Sequence, residues 1–119
     1  MSLTLLIVDD SRLSRTMIKH IIQVHRPDLN IIEAEDGAGA IAVLEQGGVN
    51  MGIIDINMPG LSGIDLIDAI QENYTAVQLA FLSANIQQGM RDRAREKNIG
   101  FFSKPITEQT ILAILKSFG

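Results

Sequence analysis

Five short, mostly apolar runs occur along the chain and predict the strands of a buried sheet. The runs are rich in Ile, Leu, Val and Phe, and they hardly alternate with polar residues. This pattern is typical of parallel strands that helices cover on both faces. The predicted strands are 5–8, 31–34, 51–54, 79–82 and 101–102.

A first helix is predicted over 12–25, where apolar residues recur at helical spacing until Pro27 interrupts the pattern. We expect the apolar face of this helix to pack against the sheet. That face consists of Leu13, Met17, Ile21 and Val24, with Ile18 and Ile22 beside it.

The other helices have recognisable start and stop signals. A second helix around 41–44 stops at two successive glycines, and Ser62 and Thr107 are suited to cap a third and a fifth helix. The fourth helix, 87–97, is the weakest prediction because only two of its apolar residues share a face. We expect it to pack loosely.

Five alternations of strand and helix predict a doubly wound α/β domain with helices on both faces of a parallel sheet. A chain of 119 residues can bury a core without disulfides, so we expect a single domain over 1–119. The sequence has no cysteine, which excludes thiol catalysis and cysteine-based metal centres.

The charge balance argues against nucleic acid and membranes as partners. Ten Lys and Arg residues stand against fourteen Asp and Glu, so the net charge of -4 does not attract DNA, RNA or anionic lipid. No segment approaches the roughly 18 uncharged apolar residues of a membrane span, and no signal-peptide pattern opens the chain. We therefore expect a cytoplasmic protein.

Acidic, hydroxyl and basic side chains follow four of the predicted strands. Because the carboxyl ends of parallel strands meet at one edge of a sheet, we expect these side chains to converge there. Each one alone is more often a turn former, a helix cap or a solvated side chain. Together they gather three mutually repelling carboxylates, and a hard cation such as Mg²⁺ relieves that repulsion. The residues are Asp9 and Asp10 after the first strand, Asp55 after the third, Ser83 after the fourth and Lys104 after the fifth.

Beside such a cation, this set of residues suits phosphoryl transfer. A carboxylate can attack a phosphoryl group, while a metal ion, a lysine and a hydroxyl stabilise the negative charge that develops on the oxygens. Asp55, Lys104 and Ser83 fit the roles of nucleophile, ammonium and hydroxyl.

Four short motifs follow the predicted strands: Val8-Asp9-Asp10-Ser11, Asp55-Ile56-Asn57-Met58-Pro59-Gly60 with Gly63 following, Ser83-Ala84 and Lys104-Pro105. In their order and spacing they resemble the CheY-like receiver domains of two-component response regulators. The resemblance covers essentially the whole chain and implies a flavodoxin-like (βα)5 fold with strand order 2-1-3-4-5. It also implies a protein that catalyses only its own phosphorylation and dephosphorylation and is not otherwise an enzyme.

The resemblance implies that Asp55 accepts a phosphoryl group from a sensor histidine kinase or a phosphotransfer protein, with Mg²⁺ or Mn²⁺ as cofactor. Lys104 and Ser83 would contact the phosphoryl group, assisted by the backbone amide of Ala84. The implied metal ligands are Asp10, Asp55 and the backbone carbonyl of Asn57, with Asp9 bound through water.

By the same resemblance, Ser83 and Phe101 form a conformational switch, and the Lys104–Pro105 peptide bond is cis. The switch would alter an output face on the fourth helix, fifth strand and fifth helix, in a monomer or a phosphorylation-dependent dimer. The target would be a protein, which the sequence does not identify, and chemotaxis is the favoured setting. We expect no output domain within the chain. The predicted output face comprises Met90, Arg91, Arg95, Phe101 and Lys116.

Two other classes of protein fit the residues less well. A haloacid-dehalogenase-type phosphatase uses similar residues, but its nucleophile lies on the first strand, whereas Asp55 follows the third. A flavin or nucleotide carrier needs a phosphate loop after the first strand, where Asp9 and Asp10 would repel phosphate. Three alternatives stay open within the receiver interpretation: a phosphorelay intermediate, a piece of a longer regulator, and an interaction module that is not phosphorylated.

Overall fold

The computed structural model describes residues 3–56, 62–84 and 88–119, in which strands and helices alternate from end to end. The strands are β1 (Thr4–Val8), β2 (Asn30–Ala34), β3 (Met51–Ile54), β4 (Gln78–Ser83) and β5 (Gly100–Ser103). The helices are α1 (Arg12–His25), α2 (Gly37–Glu45), α3 (Gly63–Asn73), α4 (Gln88–Glu96) and α5 (Glu108–Ser117).

The strands form one parallel sheet in the order β2-β1-β3-β4-β5, which confirms the predicted doubly wound α/β fold. The order reverses between β1 and β3, and such a reversal opens a ligand crevice at the carboxyl ends of the strands. Val8 pairs with Ile54 in the register of these two strands. The residues that follow them, Asp9 and Asp55, are therefore neighbours at the crevice.

Two apolar layers cover the two faces of the sheet. Along β1, Leu6 and Val8 contribute to one layer while Leu5 and Ile7 contribute to the other, because successive side chains of a strand point to opposite faces. The first layer includes residues of α2, α3 and α4, and the second includes residues of α1 and α5. Buried apolar area of this kind is the main source of stability in a domain of this size.

The prediction that the run 31–34 is buried on both faces is wrong. In β2 only Ala34 is buried, and Ile32 is exposed. The reason is position: β2 is an edge strand, so its outer side has no neighbouring strand and its cover is incomplete. Phe101 and Phe102 in the other edge strand, β5, are half-buried for the same reason.

The bounds of α1 are as predicted, but its buried face is not. Leu13 and Val24 are 70% and 63% exposed, and Met17 is also exposed. The helix instead buries Ile18 and Ile22, which lie one turn apart and were predicted to lie beside the main face. The sequence pattern of α1 is therefore wider than the stripe that the sheet covers.

Side-chain caps fix the starts of several helices. Ser62 and Thr107 accept hydrogen bonds from backbone amides three residues later, as expected of N-caps. Ser11 caps α1 and Asp36 caps α2 in the same way. Helix α4 ends at Glu96, one residue before the predicted end, and buries only Ala94, which agrees with loose packing. None of the helices in the described residues has the length and apolar character needed to cross a membrane.

Candidate functional site

Three carboxylates meet where β1 and β3 end. One oxygen from each of Asp9, Asp10 and Asp55 lies within 4.8 Å of the others. Asp9 and Asp55 are only 2% and 6% exposed, whereas Asp10 faces solvent. The register of β1 and β3 brings these residues together, so the convergence expected from the sequence is present in the structure.

Asp9 is held through both its side chain and its backbone. Its Oδ1 accepts a hydrogen bond from the Ser11 amide at 2.9 Å, and its Oδ2 accepts one from Lys104 Nζ at 2.9 Å. Its own amide donates to the Ala34 carbonyl at 3.2 Å, which extends the pairing of β1 with β2. Asp9 is thus a fixed carboxylate beside the more exposed Asp10.

Lys104 places a positive charge between the two buried carboxylates. Its Nζ lies 2.9 Å from Asp9 Oδ2 and 3.8 Å from Asp55 Oδ2, with Ser14 Oγ a further hydrogen-bond partner at 3.4 Å. An ammonium at this position offsets the repulsion between the carboxylates. The peptide bond from Lys104 to Pro105 is cis, which is the conformation that the resemblance implies.

The N-terminus of α3 lies very close to the backbone of Asp55. The Asp55 amide donates to the Val8 carbonyl at 2.9 Å. Gly63, the first residue of α3, lies so close that a Cβ there would be 2.2 Å from the Asp55 carbonyl oxygen and 2.6 Å from Ile56 Cα. Only glycine fits this contact, which gives a physical reason for the glycine in the motif that begins at Asp55.

Ser83 ends β4, the strand next to β3, and so lies at the same edge of the sheet as Asp55. Its side chain is fully buried, and its carbonyl accepts a hydrogen bond from the Lys104 amide at 2.9 Å. Ala84 follows it and is exposed. The strand ends therefore bring the predicted hydroxyl and lysine to the edge that carries Asp55.

Phe101 is half-buried between a core ring and a surface arginine. Its ring centroid lies 6.2 Å from that of Phe81, its partner in the pairing of β4 with β5, at an interplanar angle of 54°. The Arg91 guanidinium lies over the Phe101 ring, 4.9 Å from its centroid, and also donates to Ser103 Oγ at 3.3 Å. A cation over an aromatic face is attractive, so Arg91 attaches α4 to β5.

The other residues of the predicted output face are distributed as follows. Met90 is partly buried against the core, and Arg95 and Lys116 are exposed. The predicted metal ligand Asn57 lies outside the described residues, as do the other residues of its motif from Met58 to Gly60.

Arg15 is a residue of this site that the sequence interpretation missed. It lies in the second turn of α1, donates to the backbone carbonyl of Asp9 at 2.7 Å, and pairs with Glu33 of β2 at 3.1 Å. The available signal for this role was the position of a basic residue one turn after the acidic pair. The sequence interpretation considered only the apolar face of this helix.

An exposed ion pair lies at the other end of α1, away from the crevice. The guanidinium of Arg26 donates two hydrogen bonds to the Asp28 carboxylate, at 3.0 and 2.9 Å. These bonds lower the pKa of Asp28 and raise the pKa of Arg26. The pair is a surface feature with no contact to the acidic cluster.

Sequence and fold similarities point to one family. The sequence model of the response regulator receiver domain matches residues 5–116. Chemotaxis protein CheY of Pseudomonas aeruginosa is 32% identical over 113 residues, which cover 90% of this chain and 88% of that protein. The cyclic di-GMP phosphodiesterase response regulator RpfG of Xanthomonas campestris is 27% identical over 116 residues, covering 95% of this chain and 31% of that protein.

A solved structure of the Vibrio cholerae chemotaxis protein CheY4 shares the fold, with a TM-score of 0.89, 24% sequence identity and coverage of 100% of both chains. The family match spans nearly the whole chain, and the matched segment carries the acidic cluster, the hydroxyl and the lysine at one sheet edge. The protein therefore belongs to the response regulator receiver domain family.

Proposed function

We propose that this chain is a phosphorylatable receiver, which takes a phosphoryl group on Asp55 in a Mg²⁺-dependent reaction and changes its output face in response. One observation carries the proposal. The buried Asp55 carboxylate lies within 4.8 Å of oxygens of Asp9 and Asp10 and 3.8 Å from the Lys104 ammonium. A stable fold has no need to bury carboxylates side by side, whereas phosphoryl transfer to a carboxylate needs this arrangement.

The donor atoms suit Mg²⁺ or Mn²⁺. Both ions prefer oxygen ligands, and Mg²⁺ keeps several waters beside one or two carboxylates. Asp10 and Asp55 would bind the ion directly, together with the backbone carbonyl of Asn57. Asp9 would bind through water, because Lys104 already occupies its Oδ2 at 2.9 Å. The bound ion supplies positive charge that stabilises the phosphoryl oxygens during transfer.

In the transfer step, an oxygen of the Asp55 carboxylate attacks phosphorus and forms a new P–O bond. The P–N bond of the donor phosphohistidine breaks, and its electron pair leaves with the imidazole. Lys104 is close enough to contact the phosphoryl oxygens after transfer. The Ser83 hydroxyl and the Ala84 amide are its proposed partners on the adjacent strand end.

The same geometry suggests how the signal reaches the surface. Ser83 ends β4, and α4 follows on the same side of the molecule, with one buried residue. Phe101 is half-buried beside Phe81, so it can move inward when Ser83 shifts toward the phosphoryl group. The output face would then present Arg91, Arg95 and Lys116 in a different arrangement to a partner protein.

The setting proposed is two-component signalling in the cytoplasm, with a sensor histidine kinase or phosphotransfer protein upstream. The relative of P. aeruginosa is a chemotaxis protein of similar length, which favours a chemotaxis-like role and a protein target. The match to a short part of RpfG keeps open the alternative of a receiver within a longer regulator or a phosphorelay. The chain would act on no substrate other than its own acyl phosphate.

The test is the intact mass of the protein after incubation with acetyl phosphate, with and without Mg²⁺. We expect one phosphoryl adduct that requires Mg²⁺ and is absent from Asp55→Asn. Asp28→Asn is the matched control, because Asp28 is exposed and remote from the acidic cluster, and it should leave the adduct unchanged. No adduct in the parent protein under either condition contradicts the proposal and favours an interaction module that is not phosphorylated.

A further inference from the structure

Arg15 joins three elements next to the acidic cluster. It belongs to α1, its Nη1 donates to the carbonyl of Asp9 at the end of β1, and its Nε donates to Glu33 Oε1 of β2. The two distances are 2.7 and 3.1 Å, and the side chain is only 13% exposed. Such a guanidinium is held at two points and is largely shielded from water.

The carbonyl that Arg15 holds belongs to the peptide group that connects Asp9 to Asp10. That peptide plane sets the direction in which the chain leaves β1, and hence how the Asp10 carboxylate is presented relative to that of Asp9. The side chain of Asp9 is fixed separately, by the Ser11 amide and Lys104. Asp10 is exposed and has no such side-chain bonds among those of the described residues, so its placement depends more on the backbone.

Glu33 determines where Arg15 sits. Its carboxylate is paired with Arg15 at 3.1 Å and with Lys19, one turn further along α1, at 3.7 Å. An arginine anchored at one nitrogen presents its remaining donors in a fixed direction, because the guanidinium is planar. Because Glu33 already restrains the Arg15 side chain, its hydrogen bond to the Asp9 carbonyl costs little further side-chain entropy.

We propose that Arg15, anchored by Glu33, is a positioning residue for the divalent cation site. It contacts neither the cation nor the phosphoryl group, but it fixes the Asp9–Asp10 peptide so that both carboxylates face the ion. This inference rests on the proposed function, because it assumes that the acidic cluster binds Mg²⁺. Loss of a group that orients metal ligands typically lowers metal affinity or activity by roughly 10- to 100-fold.

Isothermal titration of Mg²⁺ into the purified full chain tests this role without requiring phosphorylation. We expect Arg15→Ala to bind Mg²⁺ roughly tenfold more weakly than the parent protein. Lys19→Ala is the matched control: it removes the same charge from the same helix and loses the same Glu33 partner, but Lys19 makes no hydrogen bond to Asp9 among those of the described residues. It should stay within about twofold of the parent, because an exposed ion pair contributes little.

Two further variants separate positioning from general damage to the fold. Arg15→Lys retains one donor and should recover part of the lost affinity. Glu33→Ala frees Arg15 from its anchor and should weaken binding in the same direction, and the Arg15→Ala, Glu33→Ala double variant should be no worse than Arg15→Ala alone. Thermal unfolding in EDTA identifies any variant whose fold is lost, and Glu33→Ala then carries the test.

The outcomes distinguish this inference from the proposed function. Equal Mg²⁺ affinity in Arg15→Ala, Lys19→Ala and the parent protein overturns the positioning role, even if Asp55 is phosphorylated normally. A parent protein that binds Mg²⁺ but is not phosphorylated contradicts the proposed function alone. A parent protein that does not bind Mg²⁺ contradicts both.

Discussion

Helices α3 and α4 pack on the same face of the sheet but are attached to it in opposite ways. Helix α3 buries the five residues Gly63, Ile64, Leu66, Ile67 and Ile70, whereas α4 buries only Ala94. Helix α3 follows β3, the strand before Asp55, and α4 follows β4, the strand that ends in Ser83. The side of the site next to Asp55, the proposed acceptor, is therefore tightly packed, and the side next to the proposed output face is loosely packed.

The ends of the two helices show the same contrast. Ser62 caps α3 and Asp65 lies in its first turn, where a negative charge is favourable. Helix α4 is instead fastened near its C-terminal end, where the Lys97 carbonyl accepts a hydrogen bond from Gln71 and its ammonium pairs with Asp68, both of α3. An element held mainly at one end and by few buried contacts can change position at low cost. We infer that rigidity near Asp55 and freedom near Ser83 are both needed for a switch.

The largest effect is expected from Gly63→Ala, which disrupts the tight contact of α3 with the Asp55 backbone. The added methyl group would lie 2.2 Å from the Asp55 carbonyl oxygen, and that backbone cannot yield easily because it continues directly from β3, the central strand of the sheet. We expect a loss of about 3 kcal/mol in the free energy of unfolding. Urea denaturation measures this loss, and the mass assay should show reduced phosphorylation of Asp55 even where the protein remains folded. Unchanged stability and phosphorylation would mean that the contact between α3 and Asp55 does not constrain the acceptor.

A second test compares the contributions of the two helices to the core. Ile67 of α3 is fully buried, so Ile67→Ala removes packed methylene groups and leaves a cavity. We expect a loss of about 2.5 kcal/mol. Met90 of α4 is only partly buried in the same apolar layer, so Met90→Ala should cost about 1 kcal/mol. Equal losses in urea denaturation would refute the contrast between the two helices.

The contrast could be predicted from the sequence in part, because α3 and α4 differ in apolar content. Helix α3 carries a full apolar stripe behind a capping serine, and the segment of α4 carries almost none. The five strands and their order follow from the same kind of pattern and from the family resemblance. The site followed from one geometric rule, since residues after parallel strands share an edge.

What the sequence did not reveal depends on neighbours in space. The exposure of β2 follows from its place at the edge of the sheet, and Glu33 was the one residue of its run that pointed to this position. The face that α1 buries depends on how the helix is rotated against the sheet, and several apolar residues beside the stripe left two orientations open. The contacts of Arg15 with Asp9 and Glu33 join three elements, so no local pattern encodes them.

Arg91→Ala tests the loosely packed helix α4, which a surface contact attaches to β5. Removing the guanidinium over the Phe101 ring should lower the free energy of unfolding by about 0.5–1 kcal/mol, as is usual for a half-exposed cation–π contact. It should also free Phe101 to occupy its inward position in the unphosphorylated protein. The Phe101 ring resonances in the NMR spectrum should move toward those of the phosphorylated parent protein.

The control for this variant lies on the same helix. Arg93 is exposed and has no ring contact among those of the described residues, so Arg93→Ala should change neither the stability nor the Phe101 resonances. Identical spectra for Arg91→Ala and the parent would show that Arg91 does not hold the switch residue.

The smallest effect, and the only stabilising one, is expected from Gly89→Ala in α4. A methyl group at this exposed position meets no atom within 4 Å, in contrast to Gly63 at the start of α3. Alanine loses less backbone entropy than glycine on forming a helix, so we expect a gain of about 0.5 kcal/mol near the start of this short helix. Thermal unfolding should show a slightly higher Tm, with phosphorylation of Asp55 unchanged. If Gly89→Ala instead destabilised the protein as Gly63→Ala is expected to do, α4 would be packed as tightly as α3, and the freedom inferred for the output side would be absent.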